Sequence, residues 1–489
     1  MHRLDLALPH PLHGIAASRH IEQVAAASLP PHTLMRRAGA ATARLAMALA
    51  PHARCIWIAC GPGNNGGDGF EAALELARCH RPVAITFDGD TGQLPPDAAD
   101  AFARLQAAGI PILADAPLHF DLAVDALLGL GATRAPAGRM LAHLHRMQAS
   151  AVPILAVDLP SGLNADTGQC PIDLRHPSRA QRHCLSLLTL KPGLFTAQGR
   201  DLAGTLWFDD LGADTTVVVP DTQLPGSPTL AVRPHASHKG SFGDVAIIGG
   251  APGMTGAAWL AATAALHGGA GRVFVGLLDE GAPTPAADYA LMQRPPDSLD
   301  LALMTVVCGC GGGTAVEERL PEVLAHAKLL VLDADGLNAV ARESRLRALL
   351  RDRADACRPT VVTPHPLEAA RLLGSDTATV QADRLAAARH LAHDLRCTVV
   401  LKGSGSVIAS PGRTPSINPT GNARLATGGT GDVLAGMVGA ALASGLDAHQ
   451  AASHAVWWHG AAADGWPADR PFSATQLARH AGIGLAPPA

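Results

Sequence analysis

Aromatic side chains are scarce in this sequence. One tyrosine, nine phenylalanines and six tryptophans make up 3% of 489 residues. Charge is scarce too, at 16% Asp, Glu, Lys and Arg, with a net charge of -4. That balance excludes nucleic-acid binding driven by overall positive charge. No run of about 18 apolar residues occurs, so no transmembrane helix is expected. The opening MHRLDLALPHPLHG is interrupted by Asp, Pro and His and lacks the apolar centre of a signal peptide. A cytoplasmic protein with no membrane or nucleic-acid partner is the expectation. Nine cysteines, an odd number, cannot all pair. They read as small buried apolar residues in a reducing compartment. Cys308-x-Cys310 could be half of a metal site, but no second pair at ligand spacing accompanies it.

Hydrophobic residues reach 48% and glycines number 51, which suits a globular chain with many tight turns. A chain this long exceeds one ordinary domain. The segment 217–240 carries four prolines among turn residues and reads as a connection. Two domains are therefore expected, 1–220 and 221–489. On both sides, short apolar runs alternate with helical patterns, the signature of α/β folds with largely parallel sheets. Strands are expected at 54–60, 82–88, 122–129 and 153–162. In the second half they are expected at 243–250, 305–311, 329–338, 359–365 and 398–409. Helices are expected at 98–109, 256–269 and 432–445. Two more should precede residue 50, broken at Pro30-Pro31.

In open parallel sheets, ligands sit beyond the carboxyl ends of strands. Three first-half loops leave strands there: Gly61–Gly69 (GPGNNGGDG), Asp125–Gly131 (DALLGLG) and Asp158–Gly162 (DLPSG). Any one of these aspartates alone is more simply a helix cap. Gly61-x-Gly63-x-x-Gly66 matches a dehydrogenase fingerprint, and Asp88 stands where a ribose-binding acid would. Asp68 argues against that reading, because a carboxylate in a phosphate cradle repels pyrophosphate. Asn64 and Asn65 offer amide oxygens, and Asp125 and Ser161 could supply more to the same ion. A phosphate ligand beside a monovalent or divalent cation is the reading from these residues alone.

The motifs GPGNNGGDG, VDALLGLG, VDLPSGLNADTG and LTLKPGLFT resemble the NAD(P)H-hydrate epimerase family over roughly residues 15–215. The resemblance implies a Rossmann-like three-layer fold. The implied activity interconverts R and S forms of NADH and NADPH hydrated at C6 of the nicotinamide ring. It implies that Asn64, Asn65, Gly66, Gly67 and Asp68 hold the substrate. The loop Gly129, Leu130, Gly131, Ala132, Thr133, Arg134 and Ala135 would do so too. Asp158 would be the acid–base, and Asn65, Asp125 and Ser161 would bind potassium. The family's LMERAG is LMRRAG here, with Arg36 on a helix that often serves packing or dimer contacts. A homo-oligomer is expected, with that helix the feature in doubt.

In the second half, Gly428, Gly429 and Gly431 precede a helix in ATGGTGDVLAGMVGAAL. Free backbone N–H groups and a helix N-terminus make an anion hole there. Asp432 alone would be an N-cap; behind an anion hole it can take a proton as a phosphoryl group arrives. Lys402 in LKGSGS would contact nucleotide phosphate, although a tight turn with a solvated lysine is equally simple. No P-loop motif occurs.

SHKGSFGDVAIIGG, TGAAWLAATAALHGGAG, DADGLN, TPHPLEAARLL, LKGSGS and ATGGTGDVLAG, in that order, resemble the ADP- or ATP-dependent NAD(P)H-hydrate dehydratase family over about 235–480. A ribokinase-like fold is implied, together with phosphorylation of the S hydrate and loss of phosphate. ADP would be the co-substrate, with magnesium at the site. Asp432 would be the base, with Gly429, Thr430 and Gly431 as the anion hole. Lys402, Gly403, Ser404, Gly405, Ser406 and Gly431 would hold the nucleotide. Ala257, Gly311 and His365 would line the hydrate site; a lone histidine is otherwise more often structural. Asp335 and Glu368 would help organise magnesium or the site. One departure is CGCGGG, where Cys310 stands for the proline of Gly-Pro-Gly-x-Gly. Two other readings stay open. One is a small-molecule kinase fused to a dinucleotide-binding domain. The other is a first half that binds without turnover.

Overall fold

The computed structural model describes residues 1–131, 134–172, 180–229, 234–279, 281–282 and 289–482. It divides into two compact units, Met1–Asp5 with His10–Gln223, and Leu6–Pro9 with Leu224–Ala489.

The first unit is built on a sheet whose strand order explains its site. The order is His2–Arg3, Thr205–Asp209, Arg182–Leu187, Ile154–Val157, Leu122–Ala126, Ile56–Cys60, Val83–Phe87 and Ile112–Leu113. All neighbours are parallel except the His2–Arg3 edge. The chain leaves Ile56–Cys60 towards one edge, then returns to build the other side from Leu122–Ala126. Where the direction reverses, the carboxyl ends of those two strands open a crevice, the usual ligand position in such sheets. Both strands are buried along their length, as continuous apolar runs between covering helices should be.

The second unit repeats the logic. Its strands follow the order Met292–Gln293, Arg272–Leu277, Asp244–Gly249, Thr305–Cys308, Leu329–Leu332, Thr360–Val362, Thr398–Leu401, Val407–Ala409 and Ser416–Ile417. The first seven are parallel; the last two turn back antiparallel. Direction reverses between Asp244–Gly249 and Thr305–Cys308. Beyond these ends, Gly250 N–H donates to Cys310 O at 3.0 Å and Ala251 N–H to Gly311 O at 2.7 Å. The Thr430–Ala443 helix is buried over most of its length. It crosses Thr255–His267 so closely that a Cβ on Gly436 would stand 2.0 Å from Ala261 O. Gly436→Ala is expected to cost about 1–3 kcal/mol through overpacking. Urea denaturation measures this, and an unchanged midpoint would contradict the packing.

Both halves are α/β with largely parallel sheets, as expected, and the N-terminal helices Ile15–Ala27 and Thr33–Leu49 flank the two prolines. Four local expectations need correction. Gly61–Gly69 is a loop only to Gly63; Asn64–Arg78 is helix. The strand at 329–338 ends at Leu332, and Ala334–Arg342 is helix. The run 398–409 is a hairpin of two strands. The strands Arg182–Leu187, Thr205–Asp209 and Arg272–Leu277 were not anticipated: Arg, His, Ser and Gly interrupt the apolar runs of the first and third, and the second has only three apolar residues between Thr and Asp. Among the described residues, no helix is long and apolar enough to cross a membrane.

Candidate active sites

The first crevice holds a cavity of about 760 Å³. Its floor is the start of the Asn64–Arg78 helix, and glycine places it there. A Cβ on Gly66 would stand 2.0 Å from Gly61 O, and one on Gly61 would stand 1.8 Å from Leu127 O. The helix therefore seats directly on the strand ends. Interior glycines cost a helix roughly 1 kcal/mol each; here they permit close packing. Gly66→Ala should be as costly as Gly436→Ala, read by the same denaturation midpoint. Gly66 and Gly67 do not line the cavity; Gly67 packs under Met35 and Ala98.

Asn64, Asn65 and Asp68 do line it, as do Gly129, Leu130, Gly131, Arg134, Ala135 and Asp158. Ala132 and Thr133 lie outside the described residues. Burial, then the neighbouring Asp158 and Glu22, push the Asp68 carboxyl well above the usual range. That shift favours the protonated form, which would donate a hydrogen bond rather than repel phosphate, and so weakens the objection raised by its place in the motif. Asp88 is turned elsewhere: its carboxylate pairs with His143 Nδ1 at 2.7 Å and Arg139 Nε at 3.3 Å. It does not line the cavity, so the dehydrogenase-like ribose contact is not formed. Arg36 is exposed, 3.7 Å from Asp100.

Asp158 ends its strand at φ +65°, a left-handed conformation rare outside glycine, asparagine and aspartate. Residues held there cluster at functional sites. The turn aims its carboxylate at the buried Lys191 ammonium, with which it forms an ion pair. Leu187 N–H donates to the same oxygen at 3.2 Å, and Lys191 Nζ also donates to Leu187 O at 2.7 Å. Lys191 lies in LTLKPGLFT, but its role depends on a contact 33 residues away. Asp125 and Ser161 meet directly: Ser161 Oγ is 2.6 Å from Asp125 Oδ1, and Ser161 N–H donates to Oδ2 at 2.9 Å. Leu128 N–H donates to Ser161 Oγ at 2.8 Å. Asn65 lies against the adjoining Gly129, and among the described residues its buried amide nitrogen has no hydrogen-bond partner. Turning that amide over would present its oxygen instead. An all-oxygen set with one orphaned amide fits a hard cation such as potassium.

In the second unit, Gly429 adopts φ +91° and starts the Thr430–Ala443 helix. Thr430 Oγ1 ties the turn to Leu425 O at 2.8 Å and Thr427 O at 2.9 Å. Beneath it, buried His459 Nε2 lies 2.9 Å from Thr430 O. Burial pushes this imidazole down to about 4, so it is a neutral donor to that carbonyl. Lys402 Nζ stands 2.8 Å from Asp333 Oδ1 and 3.3 Å from where a Gly431 Cβ would be. It faces the helix N-terminus, not bulk solvent. Arg384 donates to Leu401 O and Lys402 O and shapes the Gly403 turn. Ser406 Oγ closes that turn on Gly403 O at 3.2 Å, and Ser404 is exposed. Asp432 sits in the first helical turn. Burial, then Asp333, push its carboxyl up to about 6.

Gly311 and Ala257 are neighbours: a Gly311 Cβ would lie 2.9 Å from that of Ala257. His365 caps the Pro366–Leu373 helix, its Nδ1 accepting from Leu367 N at 3.1 Å and Glu368 N at 3.4 Å. Glu368 returns the bond to His365 N at 2.7 Å. Burial pushes the Glu368 carboxyl up to about 7. Asp335 accepts from Gly313 N at 2.8 Å and so holds the glycine loop. Sequence reasoning missed Asp333, although it lies in DADGLN. Its carboxylate also accepts from Thr363 Oγ1 at 2.8 Å. One ligand atom each from Cys310, Asp333 and Asp432 lies within 4.8 Å of the others. Magnesium demands near-octahedral oxygen ligation, and a set containing a thiol does not supply it.

Fold and sites together define a class: a two-unit α/β protein with a cavity of about 760 Å³ at the strand ends of one unit and a glycine-led helix N-terminus facing Lys402 in the other. Residues 31–193 match the family model described as YjeF-related protein N-terminus. Residues 245–481 match the model for NAD(P)H-hydrate dehydratase. A bifunctional NAD(P)H-hydrate repair enzyme from Escherichia coli (strain K12) is 37% identical over 483 residues, spanning 95% of this chain and 91% of that protein. One from Coxiella burnetii (strain RSA 493 / Nine Mile phase I) is 34% identical, spanning 91% and 93%. An ADP-dependent (S)-NAD(P)H-hydrate dehydratase from Neisseria meningitidis serogroup B (strain ATCC BAA-335 / MC58) is 44% identical over 47% of this chain and 80% of its own length. A crystal structure of the Bacillus subtilis ADP/ATP-dependent dehydratase, grown with ATP/Mg2+, covers 52% of this chain and 92% of its own at 29% identity and a TM-score of 0.44. The chain belongs to the family of bifunctional NAD(P)H-hydrate repair enzymes.

Proposed function

We propose that residues 1–220 interconvert the R and S epimers of NADH and NADPH hydrates, and that residues 221–489 dehydrate the S form with ADP, giving NAD(P)H, AMP and phosphate. The observation that carries this reading is Asp432. Its carboxyl stands at the start of a buried helix, behind Gly429 and Gly431 and beside Lys402. There it takes the proton of the C6 hydroxyl while that oxygen accepts a phosphoryl group from ADP. The helix N-terminus and Lys402 stabilise the charge on the transferring group. Phosphate then leaves as the C6–O bond breaks, a proton is lost from C5 to solvent, and the C5=C6 double bond of the dihydronicotinamide is restored. Magnesium, entering on the ADP phosphates, would neutralise part of their charge.

In the first unit, Asp158 takes the C6 hydroxyl proton as the C6–N1 bond opens to an aldehyde, with N1 protonated, and returns it when N1 closes on the other face; Lys191 holds its carboxylate in place. Asn65, Asp125 and Ser161 would hold potassium at the strand ends, where it would offset the dinucleotide's phosphate charge. Replacing potassium by tetramethylammonium is therefore expected to slow R/S interconversion, followed by chromatography of the epimers. An unchanged rate rejects the cation set. Nine free thiols suit a reducing cytoplasm, and a homo-oligomer is the assembly the resemblance suggests. The proposal as a whole is tested by incubating purified S hydrate with ADP and magnesium. Stoichiometric NADH and AMP support it. A stable phosphorylated hydrate without NADH rejects it.

A further inference from the structure

We propose that Cys310, Asp333 and Asp432 form a binding site for a thiophilic divalent cation, with zinc as the reference ion, and that its occupancy blocks ADP-dependent dehydration. One ligand atom from each side chain lies within 4.8 Å of the others. A tetrahedral zinc with Zn–S of about 2.3 Å and Zn–O of about 2.0–2.2 Å needs these atoms roughly 3.5 Å apart. Small side-chain rotations close that gap. Cys310 and Asp333 are buried, so the site is enclosed, unlike a chance pair of surface thiols. Among the described residues, both hydrogen-bonding partners of the Asp333 side chain, Lys402 Nζ and Thr363 Oγ1, use Oδ1. Oδ2 is thus left to a metal.

The chemistry separates zinc from magnesium. Thiolate ligation rewards a soft or borderline ion and gives magnesium nothing. Zinc displaces the thiol proton to solvent as it binds. A thiolate, two carboxylates, the Lys402 ammonium and Zn2+ then sum to zero formal charge. The repulsion of Lys402 is offset within the cluster. A chain with proline at position 310, as in the Gly-Pro-Gly-x-Gly pattern, would lack the sulfur ligand. Zinc sensitivity would therefore belong to this chain and not to the reaction.

Metal binding stands on the geometry alone; the block on dehydration rests on Asp432 as the base. Cobalt(II), whose thiolate complexes show a sulfur-to-metal charge-transfer band, reads binding without activity. Metal-free full-length protein is expected to develop that band, and Cys310→Ser and Cys310→Ala to lack it. In the same proteins, each normalised to its own zinc-free rate, zinc should suppress NADH recovery from S hydrate. The zinc needed for half suppression should rise about 10–100-fold in both variants. No band in the wild type, or a band that persists in both variants because Cys79 or Cys357 carries it, overturns the site. A Cys310-dependent band with zinc-insensitive dehydration leaves the metal site standing and removes Asp432 from the base role.

Discussion

Asp432→Asn is expected to lower ADP-dependent recovery of NADH by about 10²–10⁴-fold, the usual contribution of a positioned general base. Interconversion of R and S hydrates should persist at the wild-type rate, because among the described residues the first cavity is lined only by residues between 18 and 211. Asparagine keeps the shape and the first-turn position, so the folded state should survive, as checked by an unchanged thermal midpoint. The base also has a pH signature. Burial and Asp333 raise the Asp432 carboxyl to about 6. The base form is therefore present above that pH and is lost by protonation below it. Wild-type dehydration should fall as pH drops through about 6. A variant retaining near wild-type recovery would remove Asp432 from the mechanism.

Asp158→Asn should have the complementary effect. The R epimer should persist, with interconversion down by a similar 10²–10⁴-fold, while purified S hydrate is still dehydrated. The substitution also breaks the ion pair with Lys191, leaving a buried ammonium that, among the described residues, keeps only Leu187 O and Ser186 Oγ. Some destabilisation should accompany the kinetic loss, because an uncompensated buried charge is costly. Lys191→Met separates the two effects. It removes the charge and keeps the bulk, so a loss of interconversion there assigns Lys191 a positioning role. Rescue by Lys191→Arg supports that role. Equal loss of epimerisation and dehydration in Asp158→Asn would contradict separate sites.

The α/β class was legible because apolar runs and helical patterns alternate along both halves, and most strands fell within a few residues of their expected ends. Boundaries failed where chemistry and packing compete. Asn64 to Gly69 look like a loop by propensity. They are helical because the missing Cβ of Gly66 lets the helix seat on Gly61, itself packed on Leu127. Asp158 and Asp432 were visible as carboxylates at strand and helix ends. Their partners were not: Lys191 and Asp333 meet them only through the fold, 33 residues from Asp158 and 99 residues from Asp432 along the chain. Local spacing also misled at Asp88, whose place after the second strand fits a ribose acid. In the folded chain it pairs with His143 and Arg139. His365 stood out in TPHPLE, and its observed task is to cap the following helix with Glu368.

The most direct test of two sites acting in series is a mixture of R and S hydrates incubated with ADP and magnesium, with NADH absorbance followed to completion. Wild-type protein should recover the NADH equivalent of both epimers. Asp158→Asn should recover only the fraction initially present as S. Recovery limited to the S fraction in the wild type, or ADP consumption with no NADH formed, would contradict the serial reading.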